Sequence, residues 1–206
     1  MTDKSNNIKA VIFDLGRVLV NIDNAFLLKE LFKGLKVNSL QELGHKTMRD
    51  PAMVEFNTGR IDPQEFHRQM CEKYQLEPDF EIFKKLWCKI FYTMEGMEEV
   101  VNSLKGCVKI GLLSDTDPIH WGHIKATWPW ISEIQNPTLS YEVGVMKPNA
   151  EIYLTAAQNV NTTPEHCLFV DDLEVNVEGA RSIGMQAIRF ENLPILSKYF
   201  EEIGLF

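Results

Sequence analysis

The sequence VIFDLGRVL at residues 11–19 decides the fold. Its first three residues complete a nearly continuous apolar run, residues 8–13 (IKAVIF), which stops at Asp14, and Gly16 follows two positions later. A short apolar run that stops at an acid and a glycine is typical of a strand buried on both faces of a parallel sheet. We therefore expect Asp14 at the carboxyl end of a buried strand, the edge at which open parallel sheets bind ligands.

Three further segments repeat this apolar pattern. They are residues 107–113 ending at Ser114, residues 167–170 ending at Asp171 and Asp172, and residues 186–190. Helical patterns separate them, among them residues 173–181. Strands that alternate with helices indicate right-handed βαβ units. The sequence thus predicts an α/β fold with a doubly wound, Rossmann-like parallel sheet.

Two segments before the third strand carry weaker signals. Residues 138–141 are a marginal strand candidate. Residues 148–158 predict a helix with Pro148 in its first turn, where a missing backbone N–H costs nothing.

The first two predicted strands are separated by about 90 residues, far more than the dozen or so that a crossover needs. The excess has helical patterns: Asp62 and Pro63 form a helix start, and two apolar stripes occur at helical spacing. The stripes consist of Phe26, Leu27, Leu31, Phe32 and Leu35, and of Phe83, Leu86, Trp87, Ile90 and Phe91. We predict an α/β core domain at residues 1–20 and 96–206 and an inserted helical cap domain at residues 21–95.

Composition excludes several classes of protein. The 206 residues carry a net charge of −8, which disfavours binding to nucleic acid or to an anionic membrane. The N-terminal residues lack the pattern of a signal peptide, and the four cysteines are scattered without a metal-binding spacing. We expect a cytoplasmic protein with reduced thiols, a monomer or a homodimer.

Polar residues end three different predicted strands, and Lys147 precedes a helix at the same edge. The carboxylates of Asp14, Asp171 and Asp172 would repel one another in a partly desolvated cleft. A hard divalent cation removes that repulsion, and Mg²⁺ is the usual one when a phosphate completes the coordination. Lys147 and the hydroxyl of Ser114 suit the remaining phosphate oxygens.

Four segments, in this order and spacing, resemble the motifs of the haloacid dehalogenase-like (HAD) superfamily of aspartate-nucleophile phosphatases. They are residues 11–19, 110–114, 144–153 and 169–180. The helical insertion resembles the cap of that superfamily, and residues 55–61 followed by Phe66 are similar to a segment frequent in such caps. Bacterial sugar-1-phosphate phosphatases have a similar first motif.

The resemblance implies a role for each matching residue. Asp14 would attack phosphorus and form an aspartyl-phosphate, which water then hydrolyses. Ser114 would hold phosphoryl oxygens, and Lys147 would screen Asp14 from the incoming anion and stabilise charge in the transition state.

The same resemblance implies the ligands of Mg²⁺. Asp14 and Asp172 would bind the metal through their side chains and Gly16 through its backbone carbonyl. Asp171 would act as a further ligand or as a hydrogen-bonding partner, and Asn176 would support the ligands from one helical turn away.

Gly16 departs from the superfamily pattern, because most of its phosphatases carry a second aspartate at this position as general acid and base. The loss is worth roughly 10²–10⁴ in rate. Three explanations remain open: another donor replaces it, the leaving group departs easily, as from a hexose 1-phosphate, or activity is weak or lost. The candidate donors are Glu55, Arg60, His67 and His120. We favour the easily departing leaving group.

Two neighbours of the motifs are also unusual. Arg17 could bind a substrate oxygen or form a structural salt bridge. Asp115 stands where an asparagine is frequent, and it could bind substrate through its backbone N–H; we expect its carboxylate to cap the helix that starts near Pro118. The nearby cluster of His120, Trp121, His123, Trp128 and Trp130 indicates packing rather than a metal site.

The leading hypothesis is therefore a Mg²⁺-dependent phosphatase of a small phosphorylated metabolite. Two alternatives are a metal-independent dehalogenase and a non-catalytic phosphoryl-binding or regulatory protein. The adjacent acids Asp171 and Asp172 argue against the dehalogenase, because uncompensated carboxylates beside an anionic substrate are costly. Gly16 motivates the non-catalytic alternative.

Overall fold

The structure, a computed structural model, describes residues 7–32 and 50–205. Five parallel strands form the main sheet in the spatial order β5-β4-β1-β6-β7. Their bounds are β1 Ala10–Phe13, β4 Lys109–Ser114, β5 Thr138–Leu139, β6 Cys167–Asp171 and β7 Gln186–Arg189. The remaining two strands, β2 Val20–Ile22 and β3 Phe91–Thr93, pair with each other antiparallel. The predicted α/β fold with a parallel, doubly wound sheet is confirmed.

Helices surround the sheet and fill the insertion. In chain order they are α1 Asn24–Leu31, α2 Pro51–Asn57, α3 Pro63–Tyr74, α4 Phe80–Trp87, α5 Met97–Leu104, α6 Pro118–Thr127, α7 Pro129–Ser132, α8 Ser140–Val143, α9 Ala150–Asn159, α10 Glu174–Ser182 and α11 Leu193–Glu202. Two short 3₁₀ turns, Cys88–Ile90 and Pro164–His166, complete the described elements.

Strand β1 lies at the centre of the sheet, with β4 on one side and β6 on the other. Its side chains alternate between two apolar layers, as the period of a strand requires. Val11 and Phe13 belong to the layer that includes Phe200 of α11, whereas Ala10 and Ile12 belong to the layer that includes Tyr153 of α9. Because both faces are covered, the strand is fully buried and its carboxyl end is held rigidly.

Two predicted elements differ from the structure. The strand expected at residues 138–141 ends at Leu139, because Ser140 starts a short helix and its hydroxyl bonds the backbone N–H and C=O of Thr116. The helix expected at residues 148–158 begins at Ala150, because Asn149 provides the N-cap by accepting the N–H of Glu151. Pro148 therefore precedes the helix and does not lie in its first turn.

The described part of the insertion has an apolar cluster of its own. Phe56, Phe66, Phe83 and Trp87 form its centre, and Leu27, Leu31 and Phe32 join it from α1; Leu35 lies outside the described residues. Asp62 caps α3 by accepting the N–H of Glu65, as predicted. We propose that this cluster is the core of a cap domain at residues 21–95, and that residues 1–20 and 96–206 form the other domain. The pairing of β2 with β3 joins the two points at which the chain passes between them.

No helix among the described residues is both long enough and apolar enough to cross a membrane.

We predict that Phe66→Ala destabilises the protein by about 3–5 kcal/mol, because it removes a large side chain that is 0% exposed. The ring of Phe66 stacks on the ring of Phe56, with centroids 4.2 Å apart. It meets the ring of Trp87 edge to face, with centroids 5.3 Å apart. Urea denaturation measures the change. As a control, Ile82→Ala on α4, where the side chain is 49% exposed, should change stability by less than about 0.5 kcal/mol. Equal effects of the two substitutions would contradict this account of the cap core.

Candidate active site

The carboxyl ends of three adjacent strands bring polar side chains to one point. Asp14 directly follows β1, Ser114 ends β4 and Asp171 ends β6. The backbone N–H of Asp14 donates to the carbonyl of Val170 at 2.9 Å, which extends the pairing of β1 and β6 up to the acid. Asp14, Ser114 and Asp171 are 6%, 3% and 0% exposed, so these polar groups are largely removed from water.

Lys147 joins two of these acids. Its Nζ lies 2.6 Å from Oδ1 of Asp14 and 2.7 Å from Oδ2 of Asp171. Its side chain is buried, and burial alone would lower the pKa of the ammonium. The charges of Asp14, Asp171 and Asp115 outweigh burial and raise the pKa of Lys147, so the side chain stays a cation.

The acids outnumber the cations at this edge. Burial raises the pKa of Asp14 to about 7; the ammonium of Lys147 opposes the rise, and the charge of Asp171 adds to it. The pKa of Asp172 is also raised, first by burial and then by Asp171, although Arg17 and Lys147 oppose it. The site therefore carries excess negative charge that a further cation would neutralise.

Three carboxylates could hold that cation. Ligand oxygens of Asp14, Asp171 and Asp172 all lie within 4.8 Å of one another. Clustered carboxylate oxygens are the donor set that Mg²⁺ prefers, and its ligands lie at about 2.1 Å. The carboxylate oxygens of these three residues, their spacing and the excess negative charge around them are therefore all compatible with one Mg²⁺ ion.

Asp171 is held more firmly than its two neighbours. Its Oδ1 accepts the N–H of Leu173, at 2.8 Å. The side-chain amide of Asn176 donates to both carboxylate oxygens, at 3.0 and 3.1 Å. Asn176 is buried, so it does not lie on a helix surface. Asp171 thus orients Lys147, whereas Asp14 and Asp172 line the adjoining cavity.

This cavity, of about 280 Å³, separates the sheet edge from the cap. Its floor contains the charged and polar residues Asp14, Gly16, Arg17, Ser114, Asp115, Lys147, Asp172 and Asn176. Its opposite wall comes from the insertion and is mostly apolar: Leu27, Phe32, Met53, Trp87, Ile90 and Phe91, with the amides of Asn24 and Asn57. The cavity is thus lined by polar residues at the sheet edge and by mostly apolar residues of the insertion.

The structure brings the predicted site residues together, and the roles assigned to them stay predictions. Arg17 is half exposed, and its Nη1 lies 3.8 Å from Oδ2 of Asp172. Gly16 lines the cavity, and a Cβ added there would meet Cδ1 of Ile22 at 2.6 Å. An acid at position 16 would therefore require the end of the Ile22 side chain to shift.

Asp115 does not cap the following helix, so that expectation is wrong. The N-cap of α6 is Asp117, whose Oδ1 accepts the N–H groups of Ile119 and His120. Asp117 directly precedes Pro118, and a proline at the first helical position places the cap one residue earlier. The Oδ1 of Asp115 instead accepts the backbone N–H of Lys147 at 3.0 Å.

Among the four candidate proton donors, only His120 lines the cavity. Its Nε2 lies 3.0 Å from the carbonyl of Trp87 and its Nδ1 lies 2.8 Å from Oδ2 of Asp117. Its ring stacks on the indole of Trp87, with centroids 5.2 Å apart. His120 therefore joins the cap to the helix that follows β4, and both of its nitrogens already face oxygen atoms.

Sequence reasoning missed Trp87 and Asp117 as cavity residues. The indole N–H of Trp87 donates to Oδ2 of Asp117 at 3.1 Å, which adds a second contact between cap and core. The dipeptide Asp-Pro at positions 117–118 was a usable signal for the helix cap. The apolar stripe of the cap contained Trp87, but no local pattern shows that one edge of its ring faces a cavity.

The fold and the site together define a class of protein. It is an α/β protein with a buried aspartate at the carboxyl edge of a parallel sheet, facing an inserted helical layer. A family model described as haloacid dehalogenase-like hydrolase matches residues 8–184, and the chain belongs to this family. The predicted family and the prediction of a hydrolytic enzyme are both confirmed.

Several proteins of known kind are similar to this chain. It is 26% identical over 196 residues to a D-ribitol-5-phosphate phosphatase of Bacteroides thetaiotaomicron. This alignment covers 90% of this chain and 93% of that protein. It is 27% identical over 175 residues to a chloroplast flavin mononucleotide hydrolase of Arabidopsis thaliana, covering 84% of this chain and 69% of that protein. A solved HAD family enzyme of Bacteroides thetaiotaomicron, in complex with magnesium and inorganic phosphate, superposes with a TM-score of 0.78 at 24% identity, covering 90% of this chain and 95% of the other.

We predict that Lys147→Met destabilises the protein by about 3–5 kcal/mol at pH 8, because it leaves Asp14 and Asp171 buried without their cation. The loss should shrink as the pH falls. Burial already raises the folded-state pKa of Asp14 above its unfolded value of about 3.9. The ionised carboxylate therefore destabilises the folded state at high pH, and this destabilisation disappears as Asp14 is protonated. Urea denaturation at pH 8 and pH 5, in EDTA, measures both effects. A deficit that is the same at both pH values would contradict the charge argument.

Proposed function

We propose that this protein is a Mg²⁺-dependent phosphatase that hydrolyses a small phosphate monoester through an aspartyl-phosphate on Asp14. The observation that carries the proposal is the position of Lys147, whose ammonium contacts both Asp14 and Asp171 beside the third acid, Asp172. A buried nucleophile held against a buried cation is an arrangement suited to the attack of a carboxylate on an anionic ester.

The residues of the chain would divide the first step among them. Asp14 attacks phosphorus in line with the leaving oxygen. Lys147 draws the negatively charged phosphoryl group towards Asp14 and stabilises the charge that spreads over its oxygens. Ser114, at the end of the neighbouring strand, donates its hydroxyl to one of those oxygens. In the second step water attacks the phosphorus of the aspartyl-phosphate, the bond from phosphorus to Asp14 breaks, and inorganic phosphate leaves.

Asp14 and Asp172 would hold Mg²⁺, with the backbone carbonyl of Gly16 as a further ligand and Asp171 and Asn176 fixing the arrangement. Bound there, the ion would neutralise the excess carboxylate charge and the negative charge of the phosphoryl group. Asn176 has a definite supporting role in this proposal, because its amide holds both oxygens of Asp171 and thereby the position of Lys147.

The relatives narrow the class of substrate. A ribitol 5-phosphate and flavin mononucleotide are both esters of phosphate with the primary hydroxyl of a ribityl chain. We propose a small phosphorylated metabolite of the sugar or polyol kind, including the hexose 1-phosphates that the first motif suggests. The cavity of about 280 Å³ favours a molecule of that size. A screen of these phosphates tests the substrate class directly.

We predict that Asp14→Asn lowers turnover of 4-nitrophenyl phosphate by at least about 10⁴-fold, because an amide cannot form the acyl phosphate. The fold should persist, since Asn is nearly isosteric and relieves carboxylate repulsion. Asp79→Asn is the matched control: Asp79 is an exposed helix cap outside the cavity, and asparagine also caps helices. A folded Asp14→Asn protein with wild-type turnover would eliminate Asp14 as the nucleophile.

We also predict that EDTA abolishes turnover and that added Mg²⁺ restores it. Asp172→Asn should weaken Mg²⁺ binding by at least about 10-fold, because it removes one of the carboxylates that face the ion. Titration calorimetry with MgCl₂ measures the affinity without relying on activity. Turnover that survives EDTA would favour the dehalogenase-like alternative, and Mg²⁺ binding without turnover of any phosphate ester would favour the non-catalytic one.

A further inference from the structure

The proposed function leaves one step without a residue. An alkyl or polyol leaving group departs as a strong base unless it receives a proton, and Gly16 has no side chain to supply one. Ile22 also occupies the space beside Gly16. For esters with such poor leaving groups, the proton must therefore come from another residue that lines the cavity.

Asp115 is one of the acidic residues that line the cavity. It follows Ser114, the residue expected to hold the phosphoryl group, and it lines the cavity together with Asp14. Its Oδ1 accepts the backbone N–H of Lys147 at 3.0 Å, while the Nζ of the same lysine contacts Asp14. The carboxyl group of Asp115 is thus anchored through one oxygen to the residue that binds the nucleophile.

Charge balance favours a proton on the carboxyl group of Asp115 when a phosphate is bound. The cations of the site are already committed: Lys147 contacts Asp14 and Asp171, and Arg17 lies beside Asp172. Asp115 forms no ion pair among those of the described residues and receives only a neutral N–H. An ionised Asp115 next to a bound phosphate would be strongly repelled, so binding the anion favours a proton on this carboxyl group.

The other acids of the cavity are unsuited to the task. Asp117 is 1% exposed, and its two oxygens accept the two backbone N–H groups of α6, the indole of Trp87 and the ring of His120. Both nitrogens of His120 already face oxygen atoms. Asp172 is one of the three carboxylates that we propose as the metal site. Glu55, Arg60 and His67 do not line the cavity.

We propose that Asp115 is the general acid and base of this enzyme and replaces the aspartate that is absent from position 16. The inference rests on the proposed phosphatase function. As Asp14 attacks phosphorus, the bond to the leaving oxygen breaks; its electron pair stays on that oxygen, which takes the proton from Oδ2 of Asp115. The products are an alcohol, the aspartyl-phosphate and an ionised Asp115.

The second half of the cycle returns the proton. The Asp115 carboxylate takes a proton from water while the water oxygen attacks phosphorus. The bond from phosphorus to Asp14 breaks, and its electron pair returns to the Asp14 carboxylate. Inorganic phosphate leaves, and Asp115 is again protonated.

The groups around Asp115 agree with this role. Burial raises its pKa; the charge and the backbone N–H of Lys147 oppose the rise, and the charge of Asp171 adds to it. Tyr153 interacts with Asp115 electrostatically and stays neutral, because burial raises the pKa of its hydroxyl. A raised pKa keeps a proton available on Asp115 at a higher pH than an ordinary aspartate allows.

Asp115→Asn tests the proposal, because an amide keeps the Oδ1 acceptor for Lys147 and loses the transferable proton. The probes are substituted aryl phosphates from 4-nitrophenyl to phenyl phosphate, and glycerol 3-phosphate as an alkyl ester. We expect kcat to fall by about 10²–10⁴-fold on the poor leaving groups and by much less on 4-nitrophenyl phosphate. We also expect the wild-type decline of kcat at high pH on phenyl phosphate to disappear in the variant. Asp115→Glu should restore part of the rate on poor leaving groups.

A second measurement is independent of turnover. Calorimetry of inorganic phosphate binding, in two buffers of different ionisation enthalpy, counts protons taken up on binding. The wild type should take up more protons than Asp115→Asn, with Asp79→Asn matching the wild type.

The outcomes separate this inference from the proposed function. An equal loss on all leaving groups, with an unchanged pH profile and unchanged proton uptake, would show that Asp115 only positions Lys147 and would overturn the proposal. Wild-type rates on every ester in Asp115→Asn would overturn it as well. A wild-type enzyme that hydrolyses none of these esters, and a folded Asp14→Asn protein that matches it, would instead refute the phosphatase function.

Discussion

The site depends on one buried arrangement of charge, the ammonium of Lys147 between the carboxylates of Asp14 and Asp171. Charges that are withdrawn from water are tolerable only when each has a partner at short range. The two acids come from the ends of neighbouring strands, and the lysine reaches them from the loop after α8. The parallel sheet makes this possible, because all of its strands end at the same edge. A one-residue change of register in β1 or β6 would turn either acid towards an apolar layer.

The two apolar layers hold this arrangement in place. Since β1 is buried on both faces and paired on both edges, its end has little freedom to move. Asn176 continues this rigidity into α10 by holding both oxygens of Asp171. Asp14 and Lys147 are therefore positioned by elements outside the insertion, and the insertion contributes other residues to the lining of the cavity.

The sequence was sufficient for the parts of the molecule that follow a local pattern. Apolar runs that stop at Asp14, Ser114 and Asp171 predict the three central strands, and shared strand direction then brings these residues together. The failures occurred where two local signals compete. Asp115 and Asp117 are both possible helix caps, and the proline at 118 selects the second; Ser140 ends a strand because its hydroxyl bonds a distant loop. The contact of Trp87 with Asp117 joins two domains, and no sequence pattern records it.

Position 16 is a glycine, and the side chain of Ile22 lies beside it. A Cβ at position 16 would lie 2.6 Å from Cδ1 of Ile22, the far end of a flexible side chain, so an acid there would require the end of that side chain to shift. Ile22 belongs to β2, which pairs with β3 at the junction of core and cap, so the apolar contact contributes to the boundary between them. In our proposal, a protonated carboxyl group on Asp115, which lines the same cavity as Gly16, meets the same chemical need without a side chain at position 16.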